Sequence, residues 1–269
     1  MAAGNARARR VRSVQIDNGA LHAAVAALRM ATGLAAGEAA LASLSALIAM
    51  PKAIWSPDVA WPLFDPRADA FMRRQGWPEE IIAGLWRDHV ALRMPLNIRC
   101  RFEHTPFAIS LTDDHRRRRA PYSGEQKRVA AMMLALGFHA VLVVPVHLPR
   151  GRVAMLGWAG PQTLVEVEAL LAVAGPALLA AGHYFSALAA SEAGADGPRE
   201  EERTPLTPRE WDCLRLLAQG FREAEIAQQN GIAPTTVRYH LDNVAAKFGA
   251  KTRAHAAAIA AGLGLVGEV

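Results

Sequence analysis

A three-residue connection, Gly231-Ile232-Ala233, lies between two short helical patterns near the end of the chain. The pattern before it, REAEIAQQN, places Ile226 and Ala227 inward. The pattern after it begins at Pro234, a residue favoured at the first position of a helix. Two short helices joined by a tight turn that contains Gly form a helix-turn-helix, in which the second helix is the reading helix. The end of the chain is therefore predicted to be an all-helical module.

The reading helix has two chemically different faces. Apolar residues recur along it at positions i, i+4, i+7 and i+11, which are Val237, Leu241, Val244 and Phe248. Residues at this spacing share one side of a helix, so they predict a buried stripe. The polar residues that fall elsewhere are Thr235, Thr236, Arg238, Tyr239 and Asp242. These five side chains are predicted to face outward, toward a groove.

The outward set has the chemistry of a DNA contact surface. Hydroxyl and amide donors at a helix N-terminus suit phosphate oxygens, because the free backbone N–H groups and the helix dipole already favour an anion there. Arg238 can form two hydrogen bonds with a guanine edge. Lys247, Lys251 and Arg253 are placed to neutralise backbone phosphates. The competing interpretation is a helical packing module that binds protein and touches no DNA.

The helical module begins at a predicted capping box. Thr207 can cap the first helix, Pro208 occupies its first position, and Glu210 lies three residues after the cap. Gly220 ends this helix, and a fourth helix is expected from Arg253 to Ala261. The module is thus predicted to contain four helices.

A linker separates this module from the rest of the chain. The segment 191–205 (SEAGADGPREEERTP) is charged, contains Gly and Pro, and lacks large apolar residues. The predicted domains are therefore 1–190 for sensing and dimerisation, 191–205 as linker, and 206–269 for DNA binding.

Helices and strands alternate before the linker, which predicts an α/β domain. Helices are expected within 18–50, with a break near Gly33 and Gly37, and over 78–92 and 125–136. Strands are expected at 107–111, 140–147 and 153–158, the last two forming a hairpin. Residues 51–77, rich in Pro and Trp, are predicted to be irregular.

Composition restricts the function classes. Of 269 residues, 52% are hydrophobic and 20% charged, which is typical of a globular chain, and the net charge of +5 favours an anionic partner. Cys100 and Cys213 are far apart and outside any metal-ligand pattern, so a reducing cytoplasm and no disulfide or zinc site are expected. The apolar segment 169–191 is interrupted by Pro176, which favours a core helix or dimer contact over a membrane span.

No enzyme class is supported, because the sequence contains neither a Gly-rich phosphate loop nor a catalytic triad arrangement. No cofactor and no metal site are predicted.

The helical module resembles the DNA-binding domain of LuxR-type transcription regulators along its full length. The family pattern LT-x-RE-x-x-x-L, a Gly, EIA, TV-x-x-H, K-[LF]-G and a late Arg is matched by Leu206, Thr207, Arg209, Glu210, Leu214, Gly220, Glu225, Ile226, Ala227, Thr236, Val237, His240, Lys247, Phe248, Gly249 and Arg253. The resemblance implies DNA binding. Arg222 and Ala233 depart from it, since the family usually has Ser at these helix starts. Loss of a capping hydroxyl costs about 0.5–2 kcal/mol.

The first domain resembles the acyl-homoserine-lactone-binding domain of quorum-sensing LuxR proteins. This resemblance implies an α-β-α sandwich with an antiparallel sheet. The family's ligand pattern aligns without gaps on Trp77-Pro78, Pro95 and Pro106-Phe107. Its hydrogen-bonding positions, however, are apolar in this chain. They are occupied by Ile81, Leu85, Met94 and Ile109. A buried amide left unpaired costs about 1–3 kcal/mol, so the departure disfavours a standard acyl-homoserine lactone.

Four accounts of this domain stay open. The first account is that its pocket binds a different, more apolar signal. The second is that side chains fill the pocket and the domain only dimerises. The third is that a partner protein controls it, and the fourth is that it binds a conventional lactone. The residues expected to contact a signal are Trp77, Ile81, Leu85, Trp86, Met94, Phe107 and Ile109. The sequence as a whole predicts a cytoplasmic, homodimeric LuxR-type regulator that binds double-stranded DNA, has no membrane partner, and responds to a non-standard small apolar signal. The alternative is a ligand-independent regulator of the same type.

Overall fold

A computed structural model describes residues 16–59, 64–87, 90–112, 124–149, 151–194 and 206–266. The chain divides into two compact units, with the main division between Ala195 and Asp196. Residues 195–205 of the predicted linker lie outside the described residues, so the linker and its boundaries remain predictions.

The first unit is built on a four-stranded antiparallel sheet with strand order β1-β4-β3-β2. The strands are β1 (Lys52–Ser56), β2 (Phe107–Ser110), β3 (Ala140–His147) and β4 (Val153–Gly160). Strands β3 and β4 form the predicted hairpin, from the pair Ala140 and Gly160 to the pair His147 and Val153. Every residue of β4 and all but the last of β3 are buried, so both faces of the sheet must be covered.

Three long helices pack together on one side of the sheet. They are α1 (Asn18–Met30), α2 (Leu34–Leu47) and α8 (Leu164–Glu192). The predicted break between the first two helices is confirmed at Gly33, whose φ of 96° is disfavoured for residues with a side chain. Helix α8 contacts β2, β3 and β4 and is covered in turn by α1 and α2.

Five shorter helices surround the other face of the sheet. They are α3 (Pro66–Arg74), α4 (Glu79–Trp86), α5 (Val90–Arg93), α6 (Pro95–Cys100) and α7 (Gly124–Ala135). Their apolar residues form one core with Val141, Val143 and Met155 of the sheet. Helices on both sides of an antiparallel sheet confirm the predicted α-β-α sandwich.

The prediction that residues 51–77 are irregular is wrong. The segment contains β1, which pairs with β4, and α3, which begins after Asp65. The Asp65 carboxylate caps α3 by accepting from the backbone N–H groups of Arg67 and Ala68. The single helix expected over 78–92 is also wrong, because α4 ends at Trp86 and α5 begins at Val90.

Helix α8 begins at a capping box in which Thr163 and Glu166 bond to each other's backbone N–H groups. It is the one helix among the described residues that is long and apolar enough to cross a membrane, by length and composition alone. Its packing on the sheet accounts for its buried face. Val165 and Val173 remain exposed on the helix surface.

The second unit is all-helical and confirms the predicted helix-turn-helix architecture. Its described helices are α9 (Pro208–Ala218), α10 (Glu223–Asn230), α11 (Pro234–Lys247) and α12 (Arg253–Gly262). The predicted capping box at Thr207 and Glu210 is present. Gly231, with φ 63°, ends α10 in the left-handed conformation that lets the chain turn into α11.

A substitution at Gly182 tests how closely α8 approaches the sheet. A Cβ at this position would lie 2.8 Å from Cγ1 of Val144 and 3.0 Å from Cγ2 of Val146, two buried and conformationally stiff side chains. We expect Gly182→Ala to lower the free energy of unfolding by about 1–3 kcal/mol because the core is overpacked. Urea unfolding of the full chain measures this change.

Gly84→Ala is the matched control. A Cβ there would lie 3.4 Å from Cγ2 of Val129, an ordinary contact, and Ala raises helix propensity by up to about 1 kcal/mol. This variant should be as stable as the parent or more stable. Equal destabilisation by both substitutions would contradict the close packing of α8 on β3.

Candidate DNA-contact surface and ligand cavity

The inward face of α11 holds the second unit together. Val237, Leu241, Val244 and Phe248 are all buried, as the stripe predicts. Val237 and Leu241 pack with Cys213 and Ile226, whereas Val244 and Phe248 belong to a second apolar cluster with Ala256 of α12. The interior therefore fixes the rotation of α11 about its own axis.

The outward face of α11 presents a polar stripe. Thr235, Arg238, Tyr239 and Asp242 are exposed and recur at positions i, i+3, i+4 and i+7. Tyr239 is 63% exposed, which is high for a large ring on a helix. Thr236 lies off this stripe and is half-buried. Four of the five predicted outward residues therefore share one solvent-facing surface.

The N-terminus of α11 has no side-chain cap. Ala233 occupies the cap position and contributes no hydroxyl, in agreement with the departure from the family pattern. At the start of α10, the Glu225 carboxylate accepts from the backbone N–H of Arg222 at 2.7 Å. Uncapped N–H groups at the start of α11 favour an anion, since the helix dipole is positive there.

An ion-pair network joins three helices beneath the polar stripe. Glu223 of α10 accepts from Nη2 of Arg238 at 3.0 Å and also pairs with Arg253 of α12. Arg253 in turn donates from Nη2 to Asp242 at 2.7 Å. The sequence assigned Asp242 and Arg253 to DNA contact, and the structure gives both an intramolecular partner. Such a network orders the surface around Arg238.

Lys247 lies in a different environment from the one expected. Its Nζ is 2.7 Å from Oε2 of Glu210, whose side chain is only 4% exposed, and the Lys247 side chain is 30% exposed. The last turn of α11 faces the start of α9, so the ammonium neutralises a buried capping carboxylate. The phosphate contact predicted for Lys247 has this competitor, whereas Lys251 is exposed.

The Glu210 carboxylate is stabilised in its charged form. Burial on its own would raise its pKa, but hydrogen bonds from Lys247 and from Thr207 outweigh this effect and lower the pKa below its ordinary value. The capping box and the Lys247 pair thus share one carboxylate.

The first unit contains a cavity of about 80 Å³ bordered by β1, β4 and helices α3 to α7. Five of the seven residues predicted to contact a signal line it, namely Trp77, Ile81, Leu85, Trp86 and Met94. Phe107 and Ile109 belong to the surrounding core and do not line it. Strand β2 is an edge strand, and the guanidinium of Arg99 covers the Phe107 ring at 4.1 Å.

Several lining residues could not be predicted from the family pattern. They include Trp55 of β1, Met72 of α3, Asn97 of α6 and Met155 of β4. Trp55 lies in the segment expected to be irregular, and Asn97 lies between the aligned positions Pro95 and Pro106. The adjacent residues Ile54 and Trp55, both of types enriched in strands, are the sequence signal that could have found Trp55.

Asp58 and Asp65 also line the cavity, and among the described lining residues there is no Lys, Arg or His. Burial alone would raise the pKa of Asp65, but the side-chain and backbone hydrogen bonds of Arg67 outweigh it and lower the pKa. Asp65 is therefore charged at neutral pH, and its charge is paired with the Arg67 guanidinium at 2.9 Å.

The Lys247–Glu210 pair gives a stability prediction. Lys247→Ala leaves a buried carboxylate without its counter-charge, so we expect the second unit to lose about 1–3 kcal/mol. Lys251→Ala removes an exposed lysine and should change stability by less than about 0.5 kcal/mol. Thermal unfolding at neutral pH measures both.

The same pair predicts a pH dependence. Because the folded-state pKa of Glu210 is lowered, its stabilisation is complete above the ordinary pKa and is lost as pH falls through the folded-state pKa. The stability difference between the parent and Glu210→Gln should therefore be largest at neutral pH and shrink in acid. A difference that grows toward low pH would contradict this assignment.

Two family models match the chain. Residues 61–188 match the autoinducer binding domain, and residues 204–260 match the model described as bacterial regulatory proteins, luxR family. Along most of its length the chain has the fold of the solved structure of SdiA in complex with octanoyl-rac-glycerol, with a TM-score of 0.55 and 15% identity over 93% of this chain and 96% of that chain.

Curated relatives agree with these matches. The transcriptional regulatory protein MctR of Rhizobium johnstonii is 30% identical over 147 residues, which are 49% of this chain and 69% of that protein. The probable transcriptional regulatory protein SgaR of Hyphomicrobium methylovorum is 44% identical over 54 residues, 20% of this chain and 26% of that protein. The quorum sensing-dependent transcriptional regulator VjbR of Brucella ovis is 44% identical over 61 residues, 23% of this chain and 24% of that protein.

The chain spans about a quarter of the length of SgaR and of VjbR in these matches and more than two thirds of MctR. The SgaR and VjbR matches, of 54 and 61 residues, are no longer than the predicted helical domain. The MctR match, of 147 residues, is longer than that domain. The chain therefore belongs to the LuxR family of bacterial regulatory proteins, as a member that carries an autoinducer-binding domain ahead of its helix-turn-helix domain.

Proposed function

We propose that this chain is a cytoplasmic, homodimeric regulator that reads a specific DNA sequence through α11. The observation that carries this proposal is the opposition of the two α11 stripes, since the apolar stripe is buried and Thr235, Arg238 and Tyr239 are exposed. A helix fixed in this rotation can place base-reading side chains in the major groove. Lys251 and the uncapped start of α11 contact the phosphates.

Arg238 is the residue proposed to read a base. Its side chain is 60% exposed, and its bond to Glu223 is therefore a surface ion pair worth about 0.2–1 kcal/mol. Two hydrogen bonds to guanine discriminate against a wrong base by about 1–3 kcal/mol. Exchange of Glu223 for a guanine edge is thus favourable on the correct sequence. Arg253, held by Glu223 and Asp242, keeps α12 against α11.

The proposed dimer uses the exposed apolar face of α8. Val165, Val173 and Pro176 are exposed along this helix, on a surface without charged residues between Ala169 and Ser191. Association of two copies along such a face buries it. A two-fold symmetric pair of reading helices then matches two half-sites about 34 Å apart.

The proposed signal is a small, largely apolar molecule held in the cavity of the first unit. Support comes from the match to the autoinducer binding domain and from the apolar lining. SdiA, which has the same fold, has been solved with octanoyl-rac-glycerol, and VjbR is named as quorum sensing-dependent. Signal binding acts by favouring one relative placement of the two reading heads.

The second candidate function is a ligand-independent regulator whose first unit only dimerises or binds a partner protein. The small cavity favours it, since about 80 Å³ is well below the 300–1,000 Å³ of most ligand pockets. Extraction of the purified protein followed by mass spectrometry separates the two. A stoichiometric small molecule supports the signal receptor, and its absence after expression in the native host supports the second candidate.

Arg238→Ala tests the reading helix. We expect binding to the cognate promoter fragment to weaken about tenfold to a hundredfold, because base contacts are lost, while binding to random DNA changes much less. Mobility shifts on both DNAs give the ratio. Arg215→Ala, an exposed arginine on α9, is the matched control and should leave this ratio unchanged. Equal losses on cognate and random DNA would contradict the base-reading role.

Val173→Glu tests the dimer. A charge in the centre of an apolar interface is left without a partner, so we expect the sedimenting species at low micromolar concentration to shift from dimer to monomer. Sedimentation velocity measures the shift, and Glu168→Gln on the same helix is the control. A dimer that survives Val173→Glu would place the interface elsewhere.

A further inference from the structure

One of the four side chains of the α11 polar stripe is acidic. Asp242 lies four residues after Arg238 on this stripe, and its side chain is 58% exposed. A carboxylate on a surface that approaches DNA is repelled by the phosphates, so it weakens binding to DNA of any sequence. Asp242 therefore contributes nothing through general attraction to a polyanion, and its use on this face has to come from a specific contact.

Arg253 holds the Asp242 carboxylate by one of its two oxygens. Nε and Nη2 of Arg253 donate to Oδ1 of Asp242 at 2.8 and 2.7 Å. Within the residues that the structure describes, Oδ2 of Asp242 accepts no hydrogen bond. An ionised carboxylate has acceptor sites on both oxygens. The carboxylate thus has a fixed position and keeps one oxygen available to a partner outside the protein.

Arg253 is itself held from the opposite side. Its Nη1 pairs with Oε1 of Glu223 at the start of α10, and its side chain is only 29% exposed. The helix that carries it, α12, packs on α11 through Ala256 and Val244. Contacts among three helices therefore set the orientation of the Asp242 carboxylate. The rotamer freedom of an exposed side chain is already lost before DNA binds, which lowers the entropic cost of a contact.

Arg253 also offsets the charge of Asp242. A carboxylate and a guanidinium 2.7 Å apart carry no net charge as a pair, so their combined field at a neighbouring phosphate is much weaker than that of a carboxylate alone. Asp242 can therefore enter a groove flanked by phosphates at a lower electrostatic cost than an unpaired aspartate.

A carboxylate in the major groove recognises a hydrogen-bond donor. Cytosine presents there only its N4 amino donor, whereas guanine presents the acceptors N7 and O6 and thymine presents the acceptor O4. Adenine combines the N6 donor with the N7 acceptor, so it attracts a carboxylate at one atom and repels it at the other. An aspartate on the reading helix therefore accepts from cytosine and selects against guanine and thymine by repulsion.

The helix geometry relates the base that Asp242 meets to the one that Arg238 reads. The four residues from Arg238 to Asp242 advance about 6 Å along an α-helix. Successive base pairs of DNA are about 3.4 Å apart. A helix that lies along the groove therefore places these two side chains about two base pairs apart.

We propose that Asp242 reads a cytosine about two base pairs from the guanine read by Arg238, and that Arg253 is the positioning residue of Asp242. Oδ2 of Asp242 accepts a hydrogen bond from N4 of this cytosine while Oδ1 stays bonded to Arg253. The proposal rests on the proposed function, because it requires α11 to lie in the major groove. It gives Arg253 a task within the protein in place of the phosphate contact predicted from the sequence.

The test selects DNA fragments with a randomised segment on the full-length protein, and mobility shifts on defined fragments then measure the affinities. The parent should enrich half-sites that contain a guanine and a cytosine at this separation. Asp242→Asn should change the preference at the cytosine position to adenine, because an amide pairs with both N6 and N7 of adenine. The ratio of affinities for the two bases should change about tenfold or more, while the preference for guanine stays.

Two further variants separate positioning from charge. Asp212→Asn is the matched control, since it removes the same charge from α9, where the Asp212 carboxylate lies 4.0 Å from Arg209. It should keep the parent's preference at every position. Arg253→Lys keeps the positive charge but loses the planar fork that holds Oδ1, so it should reduce the preference for cytosine and leave that for guanine. Thermal unfolding reports whether each variant is folded, and selection with the parent tests the proposal without any variant.

Two outcomes would overturn the proposal. One is a folded Asp242→Asn variant that binds every sequence more weakly by the same factor, because Asp242 then only holds α12 on α11. The other is a parent that selects guanine but shows no preference for cytosine two base pairs away, which rejects this inference and leaves the reading helix in place. A parent that enriches no sequence at all would reject the proposed function itself.

Discussion

The β3–β4 hairpin determines the architecture of the first unit. Its residues are buried on both faces, so the sheet cannot exist with one side in water. Helix α8 covers one face through the close contact at Gly182, and the short helices α3 to α7 enclose the other. The cavity is lined by residues of these short helices together with β1 and Met155 of β4. The cavity is thus a result of how the second face is covered.

Elements governed by local sequence were predictable. The buried stripe of α11, the capping box at Thr207 and the β3–β4 hairpin each depend on residues close together in the chain, and their periodicity identifies them. Strand β1 was not predictable in the same way, because its five residues are ordered by pairing with β4, about a hundred positions later. Trp55 was missed as a site residue for that reason.

Charged residues show the limit of reading a site from composition. The sequence identifies Lys247 and Arg253 as cations after the reading helix, but it does not show which anions they meet. Glu210 lies 37 positions before Lys247, and Glu223 lies 30 positions before Arg253. Only the packing of α9, α10 and α12 around α11 brings these pairs together. How readily a cation on a DNA-binding domain can reach phosphate therefore depends on the internal partners that the fold gives it.

Glu223 has a kinetic consequence for the surface that it helps to build. Its carboxylate is a tethered counter-anion for both Arg238 and Arg253, so polyanions that arrive at random meet little bare positive charge on this face. In the proposed reading role, Arg238 leaves Glu223 only when an aligned base edge is close enough to compete for it. On that proposal, encounters with unrelated nucleic acid are short-lived, and the domain spends less time bound to irrelevant sequences during its search.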